Sequence, residues 1–314
     1  MRARAGAGAA GLPFVPLSEV GDRPNVMADG AALPSTVLTL SHWPGSSTPE
    51  PLRDDLSAGI AFRFLRSRRR WWDRRAAPDA VTLDHFDQDG LVTVYAVADP
   101  VGALARRDQL LEVAAAGDFD RTDSRVAARV AFALDRLAPQ PRADPHVAAA
   151  AFREAVGLVP ALVDHPESFR HLWEEEDGRL AASEDAIAAG TITITEDRGL
   201  DLAIVDATHP DLMHPMTVHN RTLCTRVLVL SPPQYELYFR YETWVRIVSR
   251  LVRGRVDLTD LADRLSAAEP GGASWRFNGT RATIARLTPT EAGRSDLAPD
   301  VVRRWAEEAL AAAA

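Results

Sequence analysis

The stretch that decides how this chain is interpreted is AVTLDHFDQDGL, residues 80–91. Its first four residues, Ala80–Leu83, form an apolar run with the length and composition of a buried β-strand. Four potential metal ligands follow within six residues: Asp84, His85, Asp87 and Asp89. Like charges repel and burial penalises carboxylates, so such a cluster at a strand end indicates a compensating cation.

His85, Asp87 and Asp89 are spaced two residues apart. Alternate residues of a strand point the same way, which predicts that these side chains converge as the strand ends. Imidazole with carboxylate suits Mn²⁺, and it suits Mg²⁺ less well because Mg²⁺ prefers oxygen. Two carboxylates at this spacing can serve two cations about 3.5–4 Å apart, a geometry for in-line phosphoryl displacement. The alternative is a solvated polar loop in which Asp84 caps a helix.

The flanking segments predict an α/β domain. Val37–Leu40 is an earlier buried-strand candidate, and Thr48-Pro49 has the pattern of a helix start, with the helix running to about residue 66. Residues 90–98 favour a strand by propensity, but a strand there leaves no room for a crossover, so a buried helix is predicted. Strand–helix–strand order with ligands at strand ends predicts a site at the carboxyl edge of a parallel sheet.

His42 is a further candidate ligand, because it follows the predicted strand Val37–Leu40 in the sequence SHWPG. Adjacent parallel strands place their carboxyl ends close together, so His42 is expected to complete the metal site. The alternative is that His42 and Trp43 only pack the loop. The pair Asp29-Gly30 is interpreted as a turn.

The sequence pattern changes near residue 190. Residues 1–12 are small and show no periodicity, which predicts disorder, and residues 13–189 are mostly helical. In residues 190–314, TITIT and LDLAIV flank an EDRG turn and predict a hairpin. The predicted fold class is α/β, with an N-terminal parallel-sheet domain of many helices and a smaller, β-rich α+β C-terminal domain. Further predicted elements of that domain are strands at 226–230, 235–241 and 275–277, and helices at 258–268 and 301–312.

Bulk composition narrows the class of protein. The chain has 314 residues and a formal net charge of −8, which argues against broad nucleic-acid binding and against an anionic membrane surface. The N-terminus lacks the apolar core of a signal peptide, and no long apolar run predicts a membrane span. Cys224 is the single cysteine, so an internal disulfide is excluded and a cytoplasmic location is expected.

Other segments carry possible substrate contacts. Three histidines in residues 206–220 fit a zinc site, a substrate loop in which His219 and Asn220 touch phosphate or base, or ordinary loop histidines. Arg240 lies in the aromatic–basic run YFRYETWVRIVSR, where arginine can bind phosphate or form an ion pair beside an aromatic core. The basic run SRRRWWDRR, residues 67–75, is either a solvated helix end or a phosphate-contacting patch.

The motif VTLDHFDQDGL resembles the first motif of the DHH phosphoesterase superfamily, which includes single-strand exonucleases, nanoRNases, cyclic-dinucleotide phosphatases and pyrophosphatases. The resemblance implies that His85, Asp87 and Asp89 bind manganese. It also implies a further ligand aspartate, for which Asp118 in AAAGDFD is the first candidate and Asp99 the second. The Asp-His-His motif of that superfamily is missing, and Asp164-His165 is its nearest echo.

Residues 256–279 are similar in layout to the C-terminal domain that accompanies DHH domains: a helix, a Gly-Gly pair, then a strand. The resemblance implies that Gly271 and Gly272 hold substrate, although the usual histidine after the glycines is replaced by Ala273. The motifs LSHWPG and DHFDxDGL are also similar to those of an uncharacterised bacterial family.

Together these features predict a manganese- or magnesium-dependent phosphoesterase that hydrolyses a small phosphorylated molecule or short nucleotide. The alternative is a catalytically inactive DHH-like protein that binds a nucleotide or a protein partner. A metal hydrolase acting on another substrate class, such as an amide, is a third interpretation. The oligomeric state is left open, with a homodimer as one alternative.

Overall fold

The computed structural model describes residues 11–67, 71, 77–207, 210–290 and 294–312. The chain forms two compact units. The first comprises the residues up to Asp177 together with Val245–Ser249, and the second comprises Gly178–Trp244 and the residues from Arg250 onward. The predicted boundary at 189/190 therefore lies beyond the observed one, and the return of Val245–Ser249 to the first unit is not part of that prediction.

The first unit is a small sheet surrounded by helices. Its elements in chain order are α1 (Leu17–Val20), β1 (Asn25–Ala28), β2 (Thr36–Leu40), α2 (Ser57–Arg66), β3 (Ala80–Leu83), α3 (Gln88–Ala98), α4 (Pro100–Ala105), α5 (Arg107–Asp118), α6 (Arg125–Arg136), α7 (Pro145–Asp164) and α8 (Arg170–Ala188), which continues into the second unit.

The sheet of the first unit has the strand order β2-β1-β3, and both pairings are parallel. The central strand is β1, in which Val26 pairs with Leu38 on one side and Val81 on the other. The strands β2 and β3 match the predicted ones, but β1 was not predicted and separates them. The carboxyl ends of all three strands meet at one edge because they run in the same direction.

The helix α3 confirms the predicted buried helix after the acidic cluster. Its side chains are buried from Gln88 to Val97, although several are β-branched. It packs against α2, α5 and α7, so tertiary packing outweighs the strand propensity of this segment. Asp87 caps the helix, since its carboxylate accepts a hydrogen bond of 2.7 Å from the Gly90 amide.

Among the described residues, α7 is the one helix whose length and composition would allow it to cross a membrane. In the first unit this helix packs against α3 and α6, and Val159 and Leu162 are buried. Core helices of soluble proteins meet the same criteria, so the helix is weak evidence for a membrane span.

Residues 11 and 12, the end of the stretch predicted to be disordered, are ordered in the structure. Residues 1–10 lie outside the described residues, but the Leu12 amide donates to the Val97 carbonyl at 3.1 Å. The Val15 amide likewise donates to the Val81 carbonyl of β3 at 2.9 Å. These bonds tie the chain to α3 before residue 13 and to the sheet just after it.

The second unit is built on a mixed sheet. Its remaining elements in chain order are β4 (Ile192–Asp197), β5 (Leu202–Ala207), α9 (Pro215–His219), β6 (Arg226–Ser231), β7 (Gln234–Phe239), α10 (Thr259–Ala268), β8 (Trp275–Phe277), β9 (Arg286–Pro289) and α11 (Pro299–Ala312).

In the described residues this sheet has the order β4-β5-β6-β7-β9-β8, with β5 and β6 parallel and the other pairs antiparallel. The predicted hairpin is confirmed as β4 and β5, whereas β9 was not predicted. One apolar cluster includes Leu228 and Leu237 of the sheet with Leu261 of α10 and Leu310 of α11. The fold class is therefore mixed α/β, as predicted: a parallel sheet with many helices and a separate mixed sheet toward the C-terminus.

Candidate metal centre

Ligand-type side chains follow every strand of the first unit's sheet. Asp29 comes directly after β1, His42 two residues after β2, and Asp84 and His85 directly after β3. Parallel pairing brings these strand ends to one edge. Asp118, the last residue of α5, reaches the same edge.

Asp29 links two groups of potential ligands. Asp29, His85 and Asp87 form one triad, and Asp29, His42 and Asp89 form the other. Within each triad one ligand atom from each residue lies within 4.8 Å of the others. The backbone of Asp29 has φ +37°, a conformation uncommon outside glycine, and such strain clusters at functional sites. Its Oδ1 accepts a hydrogen bond of 2.5 Å from Ser57 Oγ.

His85 is held between carboxylates on both ring nitrogens. Its Nδ1 lies 2.7 Å from Asp84 Oδ1, and its Nε2 lies 2.5 Å from Asp87 Oδ2 and 3.4 Å from Asp29 Oδ2. The Trp43 ring packs against the imidazole, with 4.9 Å between centroids. In metal-binding histidines, one ring nitrogen usually bonds to a carboxylate and the other nitrogen faces the metal.

His42 has the same arrangement with a backbone carbonyl in place of the carboxylate. Its Nδ1 lies 2.5 Å from the Asp55 carbonyl oxygen. Its Nε2 faces three carboxylates, at 3.2 Å from Asp118 Oδ2, 3.6 Å from Asp29 Oδ1 and 3.9 Å from Asp89 Oδ2. The Nδ1–H bond to the carbonyl directs Nε2 at the ligand cluster.

Asp89 reaches the site from the first turn of α3. It is fully buried, and its two carboxylate oxygens each accept a 2.7 Å hydrogen bond from the α2 N-terminus, from the Ser57 and Ala58 amides. The predicted strand-type alternation of His85, Asp87 and Asp89 is therefore wrong. Asp87 is a helix cap and Asp89 a helical residue, and the turn of α3 brings them to the site.

The crowding of acidic groups shifts the pKa values of the site. Burial, together with the charges of Asp118 and Asp29, raises the pKa of Asp89 well above its ordinary value. Burial raises the pKa of Asp118 to about 7, against the opposing hydrogen bond from His42. Burial lowers the pKa of His42, but the hydrogen bond to Asp118 and the charges of Asp29 and Asp89 outweigh it and raise the pKa to about 10. Protonated histidines thus compensate the acidic groups.

Unfilled acceptor capacity shows that these residues fit a cation. Asp29 Oδ2 and Asp118 Oδ2 are buried, and the groups that face them are imidazole nitrogens, His85 Nε2 at 3.4 Å and His42 Nε2 at 3.2 Å, so each oxygen keeps acceptor capacity for a further partner. Buried polar atoms normally have partners, and exceptions mark strain, catalysis or an ion. Carboxylate oxygens and imidazole nitrogens are ligands for divalent transition metals. The buried Asp/His/Asp cluster could therefore hold a metal ion.

Asp29 is not among the ligands predicted from the sequence, where the pair Asp29-Gly30 is interpreted as a turn. The signal available was a short run, NVMA, ending in Asp-Gly, as β3 ends in Asp-His. Gly30 is needed here because a Cβ at this position would lie 2.6 Å from Asp84 Oδ1, and Asp84 Oδ2 accepts the Ala31 amide at 3.1 Å. Asp84 thus supports both His85 and the Asp29 loop. It does not cap the helix α3, since that cap is Asp87.

The structure brings His42, His85, Asp87, Asp89 and Asp118 together with Asp29 in the first unit. The predicted echo of the Asp-His-His motif lies elsewhere, since Asp164 at the end of α7 pairs with Arg106. His209 and most of the basic run at 67–75 lie outside the described residues.

The predicted substrate residues belong to the second unit and make structural contacts there. Arg240 is 1% exposed, and its guanidinium bonds to Glu242 at 2.8 Å and to the Thr222 carbonyl at 3.0 Å. His219 is buried, with Nε2 2.9 Å from Tyr238 Oη, and Asn220 follows it at the end of α9. Gly271 and Gly272 follow α10, where Gly272 has φ +74°.

Comparison with known proteins gives a family but no activity. No curated protein and no solved structure matches the chain. The resemblance to the DHH superfamily therefore stays a prediction. A family described as "Family of unknown function (DUF6687)" matches residues 11–299, nearly the whole chain. The chain belongs to this family, DUF6687.

Proposed function

We propose that the protein is a manganese-dependent phosphoesterase that hydrolyses a small phosphorylated or nucleotide substrate. The observation that carries the proposal is the position of Asp29 in two ligand triads at once. A carboxylate shared in this way suits a pair of cations about 3.5–4 Å apart, the arrangement used for in-line phosphoryl transfer. The imidazoles in both triads favour Mn²⁺ over Mg²⁺.

The two triads differ in their access to solvent. The side chains of His42, Asp29 and Asp89 are fully buried, whereas those of His85 and Asp87 are 31% and 23% exposed. The buried triad would hold a cation as a fixed part of the site. The triad with His85 and Asp87 would hold one where substrate can reach it.

The chain's own residues supply position and proton balance. Bound divalent cations would lower the pKa of water and stabilise charge on phosphoryl oxygens. The Asp55 carbonyl and the Asp84 carboxylate orient the two imidazoles, so that Nε2 of each faces the site. The Ser57 and Ala58 amides fix the Asp89 carboxylate, which limits the reorganisation needed when ligands bind.

Manganese titration of the chelator-treated protein tests the proposal. We expect the wild type to take up two Mn²⁺ per chain, one for each triad, and then to hydrolyse phosphoester substrates. Asp29→Asn should reduce uptake at both triads and abolish hydrolysis. Asp79→Asn is the matched control, because Asp79 pairs with Arg23 on the surface. A wild type that takes up no Mn²⁺, or an unaffected Asp29→Asn variant, would contradict the proposal.

The second candidate is a non-catalytic DHH-like protein that binds a nucleotide or a protein partner. Two observations favour it: Asp164 is paired with Arg106 away from the site, and both Asp89 oxygens already accept backbone amides. Nucleotide-dependent thermal stabilisation of the manganese-loaded protein without any turnover would select this candidate. Under either candidate function we place the protein in the cytoplasm. Sedimentation analysis would show whether it forms a homodimer.

A further inference from the structure

The segment Val245–Ser249 returns from the second unit to the first and is fixed beside His42. The Arg246 amide donates to the His42 carbonyl at 2.8 Å. The segment therefore lies against the loop that carries one of the buried ligands. The chain between α8 and the C-terminus otherwise belongs to the second unit.

Asp55 ties this segment to the metal centre a second time. Its carboxylate Oδ1 accepts the Val248 amide at 2.6 Å and the Ser249 amide at 2.9 Å, and Oδ2 accepts the Ser249 hydroxyl. Its backbone carbonyl is the oxygen that lies 2.5 Å from His42 Nδ1. One residue thus orients the imidazole of His42 and holds the returning segment, so the two are positioned together.

The returning segment carries an arginine with unused donor capacity. Arg246 Nη1 is buried and has no hydrogen-bond partner among the described residues. Arginine stays protonated, and a buried donor without a partner costs free energy. Such a group is expected to have its partner in a ligand or ion. Arg240, by contrast, is occupied by Glu242 and two backbone carbonyls.

We propose that Arg246 binds a phosphoryl oxygen of the substrate. The proposal rests on the proposed function, since it assigns the phosphate-binding residue of that same site. The planar guanidinium fork matches the geometry of phosphate oxygens and forms strong charge-assisted hydrogen bonds with them. The backbone bond to His42 holds the main chain of Arg246 beside the residue that contributes the buried imidazole of the candidate site.

Binding of inorganic phosphate to the manganese-loaded protein tests this residue. A manganese titration comes first and is followed by a phosphate titration of the same sample in a calorimeter. Arg246→Gln should leave manganese uptake unchanged and weaken phosphate binding about tenfold or more, as expected for loss of a hydrogen bond between charged groups. Arg246→Lys, which keeps only a point charge, should lie between the two. Arg250→Gln is the matched control, because Arg250 bonds to Leu223 and Glu242.

The two titrations separate failure of Arg246 from failure of the proposed function. Suppose that the wild type and Arg246→Gln both take up manganese. If they then bind phosphate with equal affinity, or bind no phosphate at all, the role of Arg246 is overturned and the metal centre stands. A wild type that takes up no manganese removes the proposed function and the role of Arg246 with it. If Arg246→Gln does not fold, the comparison of wild type with Arg246→Lys decides by the same criterion.

Discussion

His42 Nε2 lies 3.2 Å from Asp118 Oδ2, which joins the loop after β2 to the last residue of α5. Both side chains are almost fully buried, at 0% and 3% exposure. The contact connects the carboxyl edge of the sheet to a helix 76 positions further along the chain (118 − 42). Together with burial, it shifts the pKa values of both groups, from which the first two predictions follow.

Asp118→Asn should lower the pKa of His42 below its value of about 10, because the variant removes the hydrogen-bonded negative charge that raises it. Manganese affinity at the buried triad should fall about 10- to 100-fold, while the triad with His85 and Asp87 keeps its affinity. NMR titration of the imidazole and calorimetric manganese titration measure the two effects. An unchanged His42 pKa would show that the contact is electrostatically unimportant.

The stability of the metal-free protein should fall as pH rises from about 6.5 to 10. His42 has an ordinary pKa of 6.5 and a folded pKa of about 10, so its contribution is complete below pH 6.5 and is lost as pH rises through about 10. The folded pKa of Asp118 is also raised, from 3.8 to about 7, so its protonated form favours folding and this contribution is lost as pH approaches 7. Urea unfolding in chelator measures the trend, and Asp118→Asn should flatten it.

Manganese should reverse this trend. Binding requires neutral imidazole and ionised carboxylates, so it releases the protons that His42 and Asp118 hold. Affinity should therefore rise with pH, and the thermal stabilisation by manganese should grow with it, reaching about 2.7 kcal/mol at a free concentration 100 times Kd. Calorimetry in buffers of different ionisation enthalpy counts the released protons. Binding without proton release would contradict the predicted protonation.

Ser57→Ala should weaken the site from outside the ligand set. The Ser57 hydroxyl donates to Asp29 Oδ1 at 2.5 Å and accepts the His42 amide at 3.1 Å, and both partners are buried. Its loss should cost about 1–3 kcal/mol in the free energy of unfolding. Manganese affinity should also fall, about tenfold or more. Ser47→Ala, an exposed serine in the same unit that bonds Thr39, is the control for both measurements.

Arg240→Met should destabilise the second unit without touching the metal centre. The variant leaves Glu242 buried without the guanidinium, and breaking a buried pair in this way costs about 3–5 kcal/mol. Manganese uptake and phosphate binding should be unchanged where the protein is folded. Thermal unfolding followed by both titrations separates this structural role from the substrate contact predicted from the sequence. A stable Arg240→Met variant with weakened phosphate binding would support the substrate contact.

Much of the local structure could be predicted from the sequence because its signals are local. Apolar runs marked β2 and β3, and alternation with a turn marked the β4–β5 hairpin. The helix start predicted at Thr48-Pro49 was wrong, because that segment forms a short 3-10 turn at Glu50–Leu52 and α2 begins only at Ser57. The density of acidic residues and histidine after β3 marked the candidate metal centre, since so many like charges need a cation.

The central strand and its aspartate could not be predicted in the same way. β1 has four residues and no alternation, and its identity as a strand comes from pairing with β2 and β3 on both sides. Asp29 belongs to both candidate triads only because those pairings place it between His42 and His85. Likewise, Asp89 reaches the site through the turn of α3, not by strand alternation.

The sequence by itself thus determined which chemistry is present: carboxylates and imidazoles at strand ends, together with the helices and strands that carry them. Only the tertiary structure decided which of these groups meet. It inserted Asp29 between the predicted ligands, occupied Arg240 with Glu242, and returned Arg246 to the side of His42. The physical reason is range. Propensities, caps and charge density act over a few residues, whereas strand pairing and burial join segments far apart in the chain.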